Sequence, residues 1–554
     1  MRNIRILIAC LAVVCSLGVA ALQQFAVSAQ NGRTTSILAP DELREWLTYL
    51  ASDDLEGRAT FSEGLGLAAA YISERLKEAG VKPAGDHGSY FQRVAVLGVR
   101  STNHSSLTVE VNGQTRTFRD GQGVTFPKNV GGKRTLTLDQ VEFVGYGLNL
   151  GPAHNDYDGL DVKGKAVVWI GARGPRSASA QRAGRLLNSR ASNATDEMGA
   201  AASISPTSAG GFGGDGGDAG GRGTRGGPPP DFTTVERLDS PVKPSVTASD
   251  ELLEFLFSAA DMKYPELRAR SGEQEVLPAF TLKGVKLTFN LDADYQVAST
   301  QYTRNVVGLV EGADPQLRNS YVVFGAHYDH VGYTSGAAGA TEDRISNGAD
   351  DDGSGTTTLI GLARAFARGP KPKRSMLFIW HAGEERGLWG SRYFADYPTV
   401  PIENVVAELN IDMIGRNRDD SQSEANTVYT VGADRISTDL HNILIDANTS
   451  LPRPMTIDFE MNDATDPERI YYRSDHYSYA AKGIPVIFFF TGLHPDYHRV
   501  TDTADKIEFA KMARIGQLVY ETGRRVADRD RAIVRDFRGP RMGKGASGKI
   551  LTAN

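Results

Sequence analysis

The run Tyr321-Val322-Val323-Phe324-Gly325-Ala326 is apolar, β-branched and aromatic, and it stops at His327-Tyr328-Asp329-His330. Such a run is a buried strand that delivers an imidazole and a carboxylate to its carboxyl end. Asn347-Gly348-Ala349 then leads into Asp350-Asp351-Asp352-Gly353-Ser354-Gly355, followed by a helix-like stretch from Thr356 to Arg368. Three adjacent carboxylates are costly to bury unless a cation neutralises them. Taken alone, the triplet also reads as a solvated loop that caps the helix through Asp352 or Ser354. The residues downstream decide between the two.

From Thr303 onward the pattern is strand, loop and helix, repeated. Strands are expected at Asn305–Val310, Tyr321–Ala326, Ser375–His381, Val405–Ile411, Thr427–Val431 and Pro485–Phe490. Helices are expected at Thr356–Arg368, Leu388–Ala395, Ile436–Ala447, Asp475–Lys482 and from about Ala504 to Arg529. This alternation predicts an α/β sandwich with a largely parallel or mixed sheet, in which ligands collect outside the carboxyl ends of the strands. Residues able to bind a metal stand at those ends: Glu384-Glu385 after Met376–His381, Asp412 after Val405–Ile411, and Tyr497-His498 after Val486–Phe490. Cys10 and Cys15 are the only cysteines, both near the amino terminus, so any metal is held by His, Asp and Glu. That donor set suits zinc or a related divalent ion. Two ions about 3.5–4 Å apart and sharing a carboxylate accommodate this many acids and generate a metal-bound hydroxide at neutral pH.

The remaining chain frames this region. Its 554 residues are 40% hydrophobic, enough for two or three cored domains, and a net charge of -6 gives no basis for nucleic-acid binding. Residues 1–29 read as a signal peptide: Arg2 and Arg5, an apolar stretch from Ile6 to Leu22, and a small-residue site at Val27-Ser28-Ala29. The protein is therefore expected to be exported, periplasmic or extracellular, with no stable membrane anchor after cleavage. Two amphipathic helices, Asp41–Leu50 and about Ser62–Ala79, flank the loop Asp53-Asp54-Leu55-Glu56-Gly57-Arg58. Residues 103–297 alternate in the manner of a β-rich module, with runs such as Leu107–Val111, Gln140–Val144 and Ala166–Ile170. Within it, residues 203–230 are mostly Gly, Ser, Ala and Pro, and are expected to be a disordered insert. Residues 537–554 read as a flexible tail. Nothing in the sequence specifies an oligomeric state.

Five pieces in order resemble the aminopeptidase Y and bacterial leucyl aminopeptidase family of co-catalytic zinc peptidases. They are Ala326-His327-Tyr328-Asp329, Gly348 to Gly355, Glu384-Glu385-Arg386-Gly387-Leu388-Trp389-Gly390-Ser391, Asn410-Ile411-Asp412-Met413, and Tyr497-His498 followed by Asp502-Thr503-Ala504-Asp505. Leu50 to Arg58 resembles the start of that peptidase domain. Phe143 to Gly147 and Asp156 to Lys165 more loosely resemble its inserted protease-associated domain. The resemblance implies a three-layer α/β/α zinc exopeptidase domain with a mixed sheet, built from residues 36–102 and 298–536, and a protease-associated domain at 103–297. It implies two zinc ions: His327 and Asp412 on one, Glu385 and His498 on the other, Asp351 bridging. Glu384 would be the general base, Asp329 would orient His327, and Tyr497 would steady the tetrahedral intermediate. The peptide Asp351-Asp352 would be cis. His330, His381, His476 and His494 read as structural, hydrogen-bonded histidines, and Asp350 and Asp352 as supporting or capping groups.

The expected activity is removal of single N-terminal residues from peptides with a free N-terminus. Acids outnumber bases beside the ligands, at Asp350, Asp352, Glu342-Asp343, Asp475 and Asp496, which favours holding an ammonium. Tyr477, Tyr479 and Phe490 are expected to offer apolar surface to the departing side chain. The alternatives are a glutaminyl cyclase-like acyltransferase with one zinc, a carboxypeptidase, and a receptor-like protein without metals. The complete ligand set argues against the last.

Overall fold

The computed structural model describes residues 37–178, 180–207, 229–334 and 343–551. The expected signal peptide and most of the Gly-rich insert lie outside these residues.

The main sheet is built from strands β1 (Phe91–Asn103), β2 (Ala293–Val310), β3 (Tyr321–His327), β4 (Ser375–His381), β5 (Val405–Ile411), β6 (Thr427–Val431) and β7 (Val486–Phe490). Its path runs β1-β2-β4-β3-β5-β7-β6, with Phe232–Thr234 added beside β1 and Thr456–Asp458 beside β6. β4, β3, β5 and β7 are mutually parallel, β2 runs antiparallel to β1 and β4, and β6 is antiparallel to β7 but parallel to Thr456–Asp458. The sheet is mixed, as expected. All of β4 and β5 is buried, which explains why they read as continuous apolar runs.

Alternation along each strand divides the core between the two faces. Val322, Phe324, Met376, Phe378 and Trp380 face one hydrophobic cluster, formed with helices α1 (Pro40–Leu50), α2 (Glu63–Ala79), α3 (Gly355–Arg368), α4 (Thr438–Ser450) and α5 (Phe509–Ala527). Val323, Leu377 and Ile379 face a second cluster that includes Phe394, Tyr479 and Phe488. Helices cover both faces of the sheet. α2 starts where Ser62 accepts a hydrogen bond from Leu65 N, and it ends at Gly80 in the left-handed conformation.

Between β1 and β2 the chain forms a second ten-stranded sheet with its own core, including Leu107, Val109, Phe143, Val168, Leu287 and Phe289. Three sequence expectations change here. Residues 103–297 are not wholly separate, because Phe232–Thr234 pairs with Leu97–Val99 of β1, and β2 already begins at Ala293. Residues 203–206, expected within the disordered insert, belong to a strand, Ala202–Pro206, between Ala166–Val168 and Ser245–Ala248. Ile204 alone carries its apolar burial among small residues, so no pattern announced it. The tail also packs. Asp434 accepts hydrogen bonds from Arg541 N (2.6 Å) and Met542 N (3.1 Å), and Asn442 exchanges two with the backbone of Ile550. The tail is held by polar side chains beside and on α4, a mode that leaves no hydrophobic periodicity to read.

α5 crosses the sheet closely at Gly523, where a Cβ would lie 2.3 Å from Phe324 Cζ. Phe324 stacks on Phe378 at 5.1 Å and also touches Phe366, so the ring has nowhere to go. Gly523→Ala gains about 1 kcal/mol of helix propensity but overpacks the core at a cost of about 1–3 kcal/mol. The variant should melt below the wild type. An unchanged or raised melting temperature would contradict the close crossing.

Candidate metal centre

The carboxyl ends of β3, β4 and β5 lie side by side, so the loops leaving them share one space. His327 is the last residue of β3, and its Nε2 lies 3.3 Å from Asp351 Oδ1 and 3.6 Å from Asp412 Oδ1. On the other side of Asp351, His498 Nε2 lies 3.1 Å from Asp351 Oδ2 and 3.0 Å from Glu385 Oε2. The five residues expected as ligands therefore form two groups that meet at Asp351. The peptide Asp351-Asp352 is cis.

A sixth residue joins them. His330, expected to be structural, places Nδ1 2.8 Å from Glu385 Oε1 and 3.7 Å from Asp351 Oδ2. Its position three residues after His327 was the available signal.

The network behind these groups explains their placement. Asp352 accepts hydrogen bonds from His327 N (3.2 Å), Gly355 N (2.9 Å) and Met413 N (3.2 Å), so one carboxylate ties together three ligand-bearing segments. Gly355 permits this, because a Cβ there would lie 2.4 Å from Asp352 Oδ1. Asp502 accepts from the backbone N–H of Asp350 and Asp351, and Asp350 Oδ1 accepts from Gly415 N at 2.6 Å. Ser474 donates to Asp412 Oδ2 at 2.8 Å. Arg58 is buried and donates to four backbone carbonyls: Leu50, Tyr328 (2.9 Å), Asn347 (2.7 Å) and Gly348 (2.9 Å). The loop from Asp53 to Arg58 is thereby locked onto the segments that carry His327 and Asp351.

One expected role takes a different form. Asp329 meets the imidazole of His327 through its backbone carbonyl, 3.1 Å from Nδ1, while its carboxylate is 3.8 Å away. That carboxylate accepts instead from Thr60 Oγ1 (3.0 Å) and Glu384 N (3.1 Å), so it fixes the Glu384 loop as well as the histidine side. Tyr497 stacks on His498 with ring centres 3.9 Å apart, and its phenol receives a 3.4 Å hydrogen bond from Arg473. The other three histidines expected to be structural belong to neither group. His381 donates to or accepts from Tyr479 at 3.3 Å, His476 stacks on Phe488, and burial pushes both imidazoles down to about 3. His494 sits 3.3 Å from Asp350.

The electrostatics are those of a cation site. Burial drives the carboxyls of Glu384 and Asp412 above their ordinary range, and each is pushed further by neighbouring acids. Burial opposes charge on His498, yet its contacts with Asp351 and Glu385 raise it to about 10. Asp351 Oδ2, Glu385 Oε1, Asp412 Oδ1 and both ring nitrogens of His330 are buried without a hydrogen-bond partner. Orphaned buried donors and acceptors of this kind are costly. His327, Asp351 and Asp412 on one side, and His330, Asp351 and Glu385 on the other, each bring ligand atoms within 4.8 Å of one another. The residues present fit two divalent ions that share Asp351.

Residues 305–523 match the family model described as Peptidase family M28. This segment is a peptidase family M28 domain. The chain is 29% identical over 258 residues to a probable leucine aminopeptidase of Trichophyton verrucosum (strain HKI 0517), covering 41% of this chain and 66% of that protein. It is 28% identical over 260 residues to leucine aminopeptidase 1 of Arthroderma otae (strain ATCC MYA-4605 / CBS 113480), covering 45% and 64%. The chain thus spans just under two thirds of these curated relatives. Among solved structures, an aminopeptidase from Aneurinibacillus sp. strain AM-1 aligns over 92% of this chain and 98% of that one, with 19% identity and a TM-score of 0.43.

The Arg58 clamp is directly testable. Arg58→Met removes every donor and leaves buried carbonyls unpaired, at about 1–3 kcal/mol each. Zinc retention after dialysis and the melting temperature should both fall, and Arg58→Lys should not restore them because one ammonium cannot reach four carbonyls in fork geometry. A zinc-replete Arg58→Met protein that melts like the wild type would contradict this reading.

Proposed function

We propose that this chain is a zinc aminopeptidase that binds two zinc ions and removes single residues from peptides with a free N-terminus. The observation that carries the proposal is the shared carboxylate: Asp351 faces His327 and Asp412 with one oxygen region, and His330, Glu385 and His498 with the other. His327, Asp351 and Asp412 would hold one ion, and Asp351, Glu385 and His498 the other, with His330 beside Glu385. When bound, the ions would acidify a water and polarise the scissile carbonyl. Glu384 then accepts the proton of the attacking water on its carboxylate and delivers it to the nitrogen of the leaving amine. Asp329 serves this step by holding the Glu384 backbone. Tyr497, a partly buried phenol kept neutral by desolvation, would donate a hydrogen bond to the tetrahedral oxygen. The second module would be the inserted protease-associated domain. Export through the basic and apolar amino-terminal segment is part of the same reading.

The direction of attack rests on different ground from the acid count. Asp350 and Asp352 are occupied by backbone N–H groups, and Asp496 is tied to Arg416 and Lys506. Asp475 is fully buried, and Glu342 lies outside the described residues. Asp343 alone of the described acids in that count is exposed, and one of its carboxylate oxygens accepts from Ile345 N at 3.0 Å. Tyr479 and Phe490 belong to the core, so they offer no substrate surface. The relatives named leucine aminopeptidases support N-terminal release and make a leucyl anilide the first substrate to test. One observation favours a carboxypeptidase as the second reading: Arg473 stands beside Tyr497 near Glu384, although Glu468 pairs with it at 3.0 Å.

Digestion of a peptide ladder separates these. Residues should leave from the N-terminus, N-acetylation should block release, and trimming from the carboxyl end would establish the second reading. Glu384→Gln should keep its zinc and lose about 10²–10⁴-fold in kcat, whereas Asp351→Asn should lose zinc. A highly active Glu384→Gln enzyme would remove Glu384 from the proton-transfer role.

A further inference from the structure

The loop Asp463 to Arg473 carries little regular structure, only a short helical turn at Ile470–Tyr472. Yet it delivers residues that touch both halves of the centre. Arg473 donates to the phenol of Tyr497, which stacks on His498, and the next residue, Ser474, donates to Asp412. Such a segment needs external support to hold a fixed position. Its own supports are local turns around Asp463 and Asp466, the pair Glu468–Arg473, and the burial of Ile470 and Tyr471 in the second cluster.

The second module supplies the rest. Arg469 Nη1 donates to Ser189 O at 3.0 Å and to Ser189 Oγ at 3.2 Å, and Arg185 pairs with Glu468 at 2.8 Å. Glu197 reaches deepest. Its carboxylate receives Tyr472 OH at 2.5 Å and Arg435 Nη1 at 2.9 Å, with both charged side chains only 8% exposed. Arg435 is pinned in turn by Asn462 and lies over the ring of Tyr471 at 3.8 Å. A buried ion pair of this kind gives little net stability over an apolar packing, but it fixes geometry, and removing one partner leaves the other charge unpaired.

We propose that Glu197, in the second module, is a positioning residue for the M28 site: through Tyr472 and Arg435 it holds the 463–473 loop, and so sets Arg473 and Tyr497 at the edge of the catalytic centre. The inference rests on the aminopeptidase reading. It makes the second module a structural part of the active site rather than an appended domain. The module has its own core and the metal ligands all lie outside it, so loss of Glu197 leaves the zinc-binding residues in place while the loop beside them loosens. The consequence is a poorer fit for the substrate that rests against Tyr497 and Arg473.

The test is steady-state kinetics of the full-length, zinc-loaded protein on a leucyl anilide, comparing wild type, Glu197→Ala, Glu197→Gln and Tyr472→Phe. Glu197→Ala should raise KM about fivefold or more with zinc content unchanged. Glu197→Gln, which still accepts from Tyr472 and Arg435, should recover most of that rise. The double variant Glu197→Ala/Tyr472→Phe should be no worse than Glu197→Ala alone, because both lie on one path. A partly unfolded sample lowers apparent kcat and leaves KM where it was, so the KM shift separates positioning from stability. An unchanged KM in Glu197→Ala, whatever happens to kcat, overturns the inference. Absence of anilide hydrolysis by the wild type overturns the aminopeptidase reading instead.

Discussion

The structure depends on one carboxylate doing two jobs. Asp351 is almost fully buried, and it stands within 3.7 Å of three imidazoles. Asp412, Glu384 and Glu385 crowd the same space. Two like charges 4 Å apart repel by about 4 kcal/mol at the effective dielectric near a protein surface, so this assembly of acids is tolerable only with protons or metal ions between them. Protons would fill that role in part, since the neighbouring carboxylates raise the basicity of His327 and His498 against the effect of burial. Divalent cations would fill it better, because they satisfy the orphaned oxygens as well as the charge.

Everything around the site serves to keep those acids where they repel. Asp352 stitches the end of β3 to the start of α3 and to the residue after Asp412. Asp502 holds the amides of Asp350 and Asp351, and Arg58 clamps carbonyls on both neighbouring segments. Backbone strain is accepted at the same place: His498 and Met413, with φ of 59° and 54°, are non-glycine residues in the left-handed region. Two of the expected ligands, His327 and Asp412, stand at strand ends, and Asp351, Glu385 and His498 come from the loops and turns beyond them.

The sheet, and the positions where candidate ligands gather, were legible because their chemistry is local. A buried parallel strand is a continuous apolar run, and Val322 to Ala326, Met376 to Trp380 and Val405 to Ile411 are such runs, with His327 and Asp412 directly after the first and third and Glu385 five residues after Trp380. Features built from contacts distant in sequence were not legible. His330 is one imidazole among several until Glu385 arrives from another strand. The carboxylate of Asp329 was expected on His327, but Thr60, from an unrelated loop, and the Glu384 backbone claim it. Asp350, Asp352 and Asp496, counted as ammonium binders, turned out to be ties between loops, since composition records charge but not its partner. The tail and the strand Ala202–Pro206 carry too few apolar residues for any periodicity to reveal them.

The central claim is that two metal ions share Asp351. Diffraction data collected on the zinc-loaded protein above and below the zinc absorption edge test it most directly. The account predicts two anomalous peaks separated by about 3.5–4 Å, one among His327, Asp351 and Asp412, the other among Asp351, Glu385 and His498. A single peak at zinc saturation, or a pair that leaves Asp351 uncoordinated, would contradict it.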